Sequence, residues 1–400
     1  MAFARIAGIL PSAALLRPMT VAAFFLGASS AASAAGCGQP LEPGRHEFSI
    51  SSTDAVRSGV YFVPSSYTGR DKVPLVFDFH GSNSSPNGQM TRSSWDKVAE
   101  KEGFIVVALQ GSLPGNFQNT YAWNVPLVTK VEGGLDEVGF ISSALSQVKQ
   151  DFCVDPSRIY ASGYSGGGRM LSHYICSGHG EFAAAGFVHS LRAGAPVEVE
   201  GKWLPDPATC SPARPISIMA FAGEKDNANP YAGGGKPYWQ YGFKTAIRRW
   251  SELAGCNGGA KLESAGGVTY GLYDTCKNGA RIASYVFAEG THAWPKPSAT
   301  EKVLAANADA TAGLVKVAVA DEPSFNPSVD PAQRMWEFFQ KADRSDVVAT
   351  VVPAAAAATS SCAAGTASAV EGADAQGNTC SSNQQPGAAR RSGQGAKGAL

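Results

Sequence analysis

The chain of 400 residues is long enough for one large domain or two smaller ones, and its 44% content of hydrophobic residues is sufficient for an extensive core. Lys and Arg together number 33, as do Asp and Glu, so the formal net charge is zero. This balance gives no electrostatic basis for binding nucleic acid or an anionic membrane surface, and it favours uncharged substrates over polyanions.

The first 35 residues have the three parts of an export signal. Arg5 and Arg17 are basic, residues 21–26 are apolar, and residues 32–35 are small, as expected near a cleavage site. Because the apolar part is too short to span a bilayer permanently, we expect a secreted, extracellular protein. A periplasmic or lipid-anchored form is the alternative, since Cys37 follows Ala-Ala-Gly, but the leucine that is usual at such a lipid-attachment site is missing.

Strand-like and helix-like segments alternate through the middle of the chain. Strands are predicted at residues 59–63, 75–79, 104–109, 158–161, 216–222 and 282–287, and helices at residues 94–102, 137–149, 167–176, 239–254 and 331–342. The helix at 137–149 has an apolar stripe and begins with Asp136 and Glu137, whose charges favour a helix N-terminus. The alternation predicts an α/β fold with a mostly parallel central sheet and helices on both faces.

The most informative segment is the G-x-S-x-G pattern around Ser165. A strand-like run ends at Ala161, Gly163 and Gly167 flank the serine, and an amphipathic helix follows. Such a strand–turn–helix, called a nucleophile elbow, exposes the serine hydroxyl at the top of a sheet and directs the next backbone N–H towards a developing oxyanion. We therefore predict Ser165 as a nucleophile and the amide of Gly166 as one oxyanion donor.

A serine hydroxyl becomes an effective nucleophile when a neutral imidazole takes its proton and a carboxylate orients that imidazole. In α/β-hydrolases the acid and the histidine follow the serine in that order. Asp226 lies in a polar loop after the predicted strand at 216–222, and His292 lies in a loop after the strand at 282–287. We predict Asp226 as the acid, with Glu224 as the competing residue, and His292 as the base.

A second oxyanion donor should come from the loop after an early strand. The strand at 75–79 leads into His80-Gly81-Ser82. We predict the backbone N–H of Ser82 as that donor, with Gly81 as the neighbouring alternative. His80 precedes the elbow in the chain, so we interpret it as a residue that shapes the loop and not as the base.

Five segments, in this order, resemble one known group of proteins. They are residues 79–81, 135–140, 153–160, the elbow, and 290–295. Over residues 37–342 the chain is similar to the secreted feruloyl esterases of types B, C and D and to the poly(3-hydroxybutyrate) depolymerase-like esterases. The resemblance implies a cofactor-independent α/β-hydrolase catalytic domain at residues 36–345. Two features depart from the family pattern: the acid loop has Ala-Gly-Glu-Lys-Asp in place of His-Gly-Thr-x-Asp, and residues 298–330 are interpreted as an insertion.

Eight cysteines follow the export signal, and an even number favours disulfides in an exported protein. None has C-x-x-C spacing and no histidine cluster lies near them, so no metal site is predicted. Their number alone allows on the order of a hundred pairings. The resemblance implies the pairs Cys37–Cys153, Cys176–Cys210 and Cys256–Cys276, with Cys362 and Cys380 left to pair within the tail.

Aromatic residues in the predicted loops bear on the substrate. Trp123, Tyr164 and Trp294 lie near the loops that carry the predicted site. Aromatic walls suit a planar phenolic acyl group, because they combine stacking with burial of area, so these three are predicted to bind substrate. The same walls suit a hydroxyalkanoate chain, and many such residues simply pack, so the acyl group stays open.

The composition changes near residue 345. Residues 346–400 are rich in Ala, Ser, Gly and Gln and contain few large apolar side chains. Such a segment buries too little apolar surface to offset its chain entropy, so a disordered tail is predicted.

Three functions are open. The first is a secreted serine carboxylesterase that hydrolyses hydroxycinnamoyl (feruloyl-type) esters of plant cell-wall polysaccharide through an acyl-enzyme. The second is an extracellular depolymerase of poly(3-hydroxybutyrate) or another aliphatic polyester, with the same chemistry and a different acyl pocket. The third, a non-catalytic surface-binding protein, is disfavoured by the complete serine–acid–histidine set. The expected partner is the ester substrate, with no nucleic acid and no stable membrane span, and the oligomeric state is left open.

Overall fold

The computed structural model describes residues 36–128, 131–296 and 329–342. The strands in these ranges are β1 Gly44–Ser51, β2 Val56–Val63, β3 Val73–Phe79, β4 Ile105–Leu109, β5 Leu113–Pro114, β6 Tyr121–Ala122, β7 Val154–Tyr164, β8 Ala184–Val188, β9 Pro196–Val199, β10 Lys202–Pro205, β11 Ser217–Gly223, β12 Lys261–Ala265, β13 Val268–Tyr273 and β14 Ile282–Phe287. The α-helices are α1 Pro86–Ser93, α2 Trp95–Glu102, α3 Glu137–Asp151, α4 Gly166–Cys176, α5 Phe243–Leu253 and α6 Pro331–Phe339.

Ten of the described strands form one sheet in the order β1-β2-β4-β3-β7-β8-β11-β14-β13-β12. The six central strands, from β4 to β14, run parallel to one another. The two strands at each edge are antiparallel to their neighbours. Because parallel strands end at the same edge of a sheet, the loops after β3, β7, β8, β11 and β14 lie along one edge. The predicted α/β fold with a mostly parallel sheet is confirmed.

Apolar side chains are buried on both faces of this sheet. Along β3, Leu75, Phe77 and Phe79 belong to one core cluster and Val76 to the other, as the two-residue period of a strand requires. Helices α3, α4 and α5 contribute to the first cluster, and α1, α2 and α6 contribute to the second. The predicted arrangement of helices on both faces is therefore confirmed.

The predicted strands and helices all occur, with ends shifted by a few residues. The predicted helix at 239–254 begins later, at Phe243, because Pro237–Trp239 forms a separate 3₁₀ turn. Several elements were not predicted: the edge strand β1, the hairpin of β12 and β13, the helix α1, the short strands β5, β6, β9 and β10, and the central strand β8.

The two acidic residues at the start of α3 have different roles. The Asp136 carboxylate accepts a hydrogen bond from the Val138 amide and caps the helix. Glu137 is buried, with an exposure of 3%, and forms an ion pair with Arg57 at 2.6 Å. Its other carboxylate oxygen accepts from the amide of Ser112. The expectation that Glu137 mainly favours the helix N-terminus is thus incomplete, because its carboxylate also joins α3 to β2 and to the loop after β4.

Three disulfides staple the domain. Cys37–Cys153, Cys176–Cys210 and Cys256–Cys276 are the pairs that the family resemblance implies, and they enclose sequence separations of 116, 34 and 20 residues. The second bridge ties the end of α4 to the segment before β11. Closing such loops lowers the entropy of the unfolded chain, so each bridge stabilises the fold.

Several sequence expectations lie outside the described residues. They are the export signal at 1–35, the tail at 346–400 with Cys362 and Cys380, and nearly all of the insertion at 298–330. In the part of the chain that is described, no helix combines the length and the apolar character needed to cross a membrane.

Candidate active site

Ser165 stands at a sharp turn between β7 and α4. Its backbone has φ 50° and ψ −115°, a strained conformation for a residue with a side chain. The turn is tight on both sides: a Cβ on Gly163 would lie 2.6 Å from the Cα of Gly168, and a Cβ on Gly167 would collide with the carbonyl oxygen of Phe79. The glycines of the G-x-S-x-G pattern are therefore needed for the chain to turn here.

The structure brings Ser165, His292 and Asp226 into one hydrogen-bonded chain. The Ser165 hydroxyl lies 2.8 Å from Nε2 of His292, and Nδ1 of His292 lies 2.8 Å from Oδ2 of Asp226. The other carboxylate oxygen of Asp226 accepts from the backbone amides of Ala228 and Asn229, both at 2.8 Å. Since the carboxylate can only accept, Nδ1 carries the proton and Nε2 is free to accept the proton of the serine.

The surroundings of Asp226 keep it ionised. Burial by itself raises the pKa of Asp226, but the hydrogen bonds from His292 and from the Asn229 amide outweigh burial, so this pKa lies below its usual value. The competing residue Glu224 is exposed, and within the described residues it forms no hydrogen bond with the imidazole. Of the two carboxylates in the loop, the structure places Asp226 beside His292.

The predicted oxyanion donors lie side by side. The backbone nitrogen of Ser82 is 2.8 Å from the point where a Cβ on Gly166 would stand. A Cβ on Gly81 would lie 3.4 Å from the Cβ of Ser165, so the loop after β3 packs directly on the elbow. Gly166 is the first residue of α4, where backbone N–H groups have no partner within the helix. The backbones of Ser82 and Gly166 therefore lie next to each other beside Ser165, as the predicted oxyanion hole requires, and their role as donors stays a prediction.

His80 and Trp123 fix the loop that carries Ser82. The backbone amide of Gly111 donates to Nε2 of His80 at 3.0 Å, and Nδ1 of His80 donates to the carbonyl of Gly81 at 2.8 Å. Burial lowers the pKa of His80 to about 4, so the ring is neutral at physiological pH. These contacts agree with the interpretation of His80 as a residue that shapes the loop.

Trp123 does not have the exposure that substrate binding requires. Its exposure is 1%, its ring packs on Phe79, and its indole N–H donates to the carbonyl of His80 at 2.8 Å. The prediction of Trp123 as a substrate-binding wall is wrong. Its side chain instead supports the loop that carries Ser82 from within the core.

Tyr164 packs against the loop that carries His292 and Trp294. The Tyr164 hydroxyl donates to the backbone carbonyl of His292 at 2.6 Å, and its ring lies 5.9 Å from that of Trp294. Their exposures are 9% and 6%, so little of either ring is open to a substrate. Trp294 also borders a cavity of about 520 Å³ beside the turn between β12 and β13. Tyr164 therefore contacts the backbone of the loop that carries His292.

His189 was missed by the sequence reasoning. It follows β8 with φ 55°, and its Nε2 donates to the carbonyl of Ala293 at 2.9 Å. Its Nδ1 lies 3.8 Å from Oδ2 of Asp226. Burial lowers the pKa of His189 to about 4, although the charge of Asp226 acts against this, so the ring is neutral. The sequence signal for it is a His-Ser pair after the apolar run at 184–188, but the small residues of this run do not indicate a strand.

The arrangement has the parts required for acyl transfer: an activated hydroxyl, an oriented imidazole, a buried carboxylate and two amide donors. Within the ranges that the structure describes, no group of three or more His, Cys, Asp or Glu side chains is placed to hold a metal ion.

Several known proteins are similar to this chain in sequence. No protein-family model matches the chain. The chain is 32% identical over 238 residues to feruloyl esterase B of Piromyces equi, which covers 58% of this chain and 41% of that protein. It is 29% identical over 124 residues to a bifunctional acetylxylan esterase/xylanase of Neocallimastix patriciarum, covering 28% and 17% of the two chains. The chain thus spans less than half the length of these two relatives.

A further relative and a solved structure are similar over other shares of the chain. Feruloyl esterase C of Emericella nidulans is 27% identical over 132 residues, covering 32% of this chain and 44% of that protein. The structure of an acetyl xylan esterase from Aspergillus awamori covers 65% of this chain and 98% of its own, at 14% identity and a TM-score of 0.46. The sheet order and the turn at Ser165 are those of an α/β-hydrolase fold, and in sequence the chain is similar to feruloyl esterases.

Proposed function

We propose that this protein is a secreted serine carboxylesterase that hydrolyses hydroxycinnamoyl esters of plant cell-wall polysaccharide. The observation that carries the proposal is the hydrogen-bonded chain from Ser165 through His292 to Asp226. Two of the relatives are named feruloyl esterases and a third is named an acetylxylan esterase/xylanase, which supports an ester of a wall polysaccharide as the substrate. Three disulfides support export, because such bonds persist in oxidising compartments.

In the first half of the reaction, the Ser165 oxygen attacks the ester carbonyl carbon while Nε2 of His292 takes the hydroxyl proton. The carbonyl oxygen becomes an oxyanion, which the amides of Ser82 and Gly166 stabilise. Asp226 stabilises the imidazolium that has formed. The tetrahedral intermediate then expels the alcohol, which takes the proton from His292, and the acyl group stays on the serine.

In the second half, water replaces the alcohol. His292 takes a proton from the water as the water oxygen attacks the acyl carbon, and a second oxyanion forms between the same two amides. Collapse of this intermediate breaks the bond to Ser165, returns the proton to the serine oxygen and releases the free acid. In each half, Nε2 of His292 takes up one proton and releases it again, so the enzyme returns to its starting state.

The first prediction tests the nucleophile. Ser165→Ala should lower kcat by about 10³-fold or more on methyl ferulate, because the acyl-enzyme can no longer form. The hydroxyl adds little packing, so the thermal midpoint should stay close to that of the unchanged protein. Stopped assays with purified proteins measure the first quantity and calorimetry the second. Activity near that of the unchanged protein would remove Ser165 from the site. No activity in the unchanged protein would instead support the non-catalytic alternative.

A second assay separates the two ester classes. The purified protein is incubated side by side with methyl ferulate and with oligomers of 3-hydroxybutyrate. The proposal requires the larger kcat/KM on methyl ferulate. Faster cleavage of the hydroxybutyrate oligomers, with loss of both activities in Ser165→Ala, would assign the same chemistry to a polyester substrate.

A further inference from the structure

Two arginines are buried beside the candidate active site without a carboxylate partner. Arg169 lies on α4 and Arg192 follows β8, and each has an exposure of 6%. Arg169 is one helical turn beyond the nucleophile, since its amide donates to the carbonyl of Ser165 at 3.2 Å. Burial lowers the pKa of Arg192 to about 10, and repulsion from Arg169 adds to this effect. Burial also lowers the pKa of Arg169. Because a guanidinium stays protonated in proteins, both side chains carry a positive charge at physiological pH.

The groups that contact these guanidiniums are neutral. Arg192 donates to the carbonyls of Leu191 and Tyr241, at 2.7 and 2.9 Å, and lies 3.5 Å from the centre of the Trp239 ring. Arg169 donates to the side-chain oxygen of Asn229 at 3.4 Å. One nitrogen of each, Nε of Arg169 and Nη2 of Arg192, is buried without a hydrogen-bond partner among the described residues.

A buried charge normally has a partner of opposite charge, because removing an ion from water is costly. Arg57 in the same protein follows this rule through its ion pair with Glu137. Neither Arg169 nor Arg192 forms an ion pair with any residue in the described ranges. The rings of Tyr238 and Trp239 compensate part of the charge through cation–π contacts, which are weaker than a buried ion pair.

A cavity of about 430 Å³ lies against both arginines. Arg169, Ser172, His173 and Cys176 line one side, and this spacing puts them on one face of α4. The loop at 125–128 and the segment at 194–196 form other walls. The cavity is large enough for a sugar ring. The two arginines make its lining positively charged, although the formal net charge of the whole chain is zero.

We propose that this cavity binds a carboxylate group carried by the substrate, such as that of a uronic acid or a hydroxy acid on the alcohol side of the ester. The proposal rests on the proposed esterase function, because it assigns a subsite next to the same nucleophile. An anion there completes the missing ion pair for two charged groups that are already desolvated. The cavity begins one turn of α4 from Ser165, so an ester carbonyl at the serine leaves the adjoining unit within reach.

The test uses two substrates that differ by one group: the feruloyl ester of glucuronate and the feruloyl ester of glucose. The unchanged protein should have at least a tenfold higher kcat/KM on the glucuronate ester. Arg169→Gln should lower that preference by tenfold or more, because one of the two charges is lost. The control Arg158→Gln removes the same charge from an exposed ion pair with Asp155 at the start of β7 and should keep the preference.

Inhibition by free ligands tests whether the bound carboxylate belongs to the substrate or to another molecule. This test uses the unchanged protein, so it does not depend on whether Arg169→Gln folds. Free glucuronate should inhibit hydrolysis of the glucose ester competitively in the unchanged protein, and free glucose at the same concentration should not. If glucuronate raises the thermal midpoint and no ester preference exists, the cavity binds a carboxylate from another source, and the substrate subsite is overturned.

Failure of the inference and failure of the proposed function give different results. Equal kcat/KM on the two esters, without any effect of free glucuronate, would overturn the subsite and leave the esterase intact. No turnover of either ester would overturn the esterase, and a shift of the thermal midpoint by glucuronate but not by glucose would still show that the cavity binds a carboxylate.

Discussion

At the scale of single residues, two carboxylates share the loop after β11 but differ in their surroundings. Asp226 is buried and holds both Nδ1 of His292 and two backbone amides, whereas Glu224 is exposed. Asp226→Asn should therefore lower kcat by several orders of magnitude with little change in KM, because an amide cannot stabilise the imidazolium. Glu224→Gln is the matched control and should cost far less. Steady-state kinetics on methyl ferulate measure both, and reversed severities would show that Glu224 is the acid.

Tyr164 offers a second test at this scale. Its hydroxyl donates to the His292 carbonyl at 2.6 Å, so it restrains the loop that carries the imidazole. Tyr164→Phe should lower kcat about fivefold and leave KM nearly unchanged, since one hydrogen bond is worth roughly 1 kcal/mol and the lost hydroxyl contacts the loop and not the substrate. Tyr67→Phe is the control, because the Tyr67 hydroxyl accepts from the Cys153 amide just before β7, at the end of that strand opposite to Ser165. A raised KM with unchanged kcat would instead identify Tyr164 as a substrate-binding residue.

The sequence order was sufficient to propose Ser165, Asp226 and His292, because the fold family fixes the order of these groups along the chain. It was not sufficient for Trp123. A position in a loop near the site says nothing about whether a side chain points outward, and this indole points inward to the carbonyl of His80. His189 was missed for another reason, since its place depends on a strand that local sequence does not reveal.

At the scale of elements, that strand is β8, with the sequence Ala-Ala-Gly-Phe-Val. Small residues have low strand propensity, so the segment lacks the local signal of a strand. Tertiary packing explains the composition: a Cβ on Gly186 would collide with Sδ of Met335 on α6. The edge strands β12 and β13 escaped prediction because they are partly exposed and carry many polar residues. Strands buried on both faces, such as β3 and β11, have continuous apolar runs and were predicted.

Helix α6 packs aromatic side chains onto one face of the sheet, and its deletion tests how much they stabilise the fold. It places Trp336 at 4.1 Å from the ring centre of Phe104 and stacks Phe339 on Trp95 and Tyr160. A chain that ends at residue 329 lacks these contacts. Losing a buried aromatic side chain costs about 3–5 kcal/mol, and the domain has about 5–15 kcal/mol in total, so this chain should not unfold cooperatively.

The matched control for the α6 deletion is a chain that ends at residue 344. It keeps α6 and lacks the Gly- and Ala-rich residues 346–400, so it should retain full activity on methyl ferulate and its thermal midpoint. Calorimetry and esterase assays on both chains make the comparison. Loss of activity or a midpoint several degrees lower in the chain ending at 344 would show that the tail belongs to the catalytic unit.

At the scale of the whole molecule, buried titratable side chains make the stability of the fold depend on pH, although the numbers of acidic and basic residues are equal. His80 and His189 each have a pKa lowered to about 4 by burial, against 6.5 for an ordinary histidine. Between pH 6.5 and 4 the unfolded chain therefore binds more protons than the folded protein at these two sites. Their contribution to stability is complete above pH 6.5 and is lost as the pH falls through 4.

Asp78 acts in the opposite direction. Burial raises its pKa to about 6, against hydrogen bonds from Ser93, Ser162 and Gln89 that lower it. Between pH 3.8 and 6 the folded protein holds a proton at Asp78 that the unfolded chain has lost, so this contribution is complete at low pH and is lost as the pH rises through 6. Two histidines against one aspartate leave a net difference of about one proton. The free energy of unfolding should fall by about 1.4 kcal/mol for each pH unit of acidification between 6 and 4.

Urea unfolding at half-unit intervals of pH between 4 and 7 measures this slope. His80→Gln removes one of the two histidine contributions, so its stability should depend on pH less steeply than that of the unchanged protein by up to one proton equivalent. Asp78→Asn removes the opposing group and should make the dependence steeper. Both variants will be less stable at every pH, because each loses buried hydrogen bonds, so the slope and not the absolute free energy is the measurement. Parallel curves for all three proteins would show that these buried groups titrate alike in the folded and unfolded states.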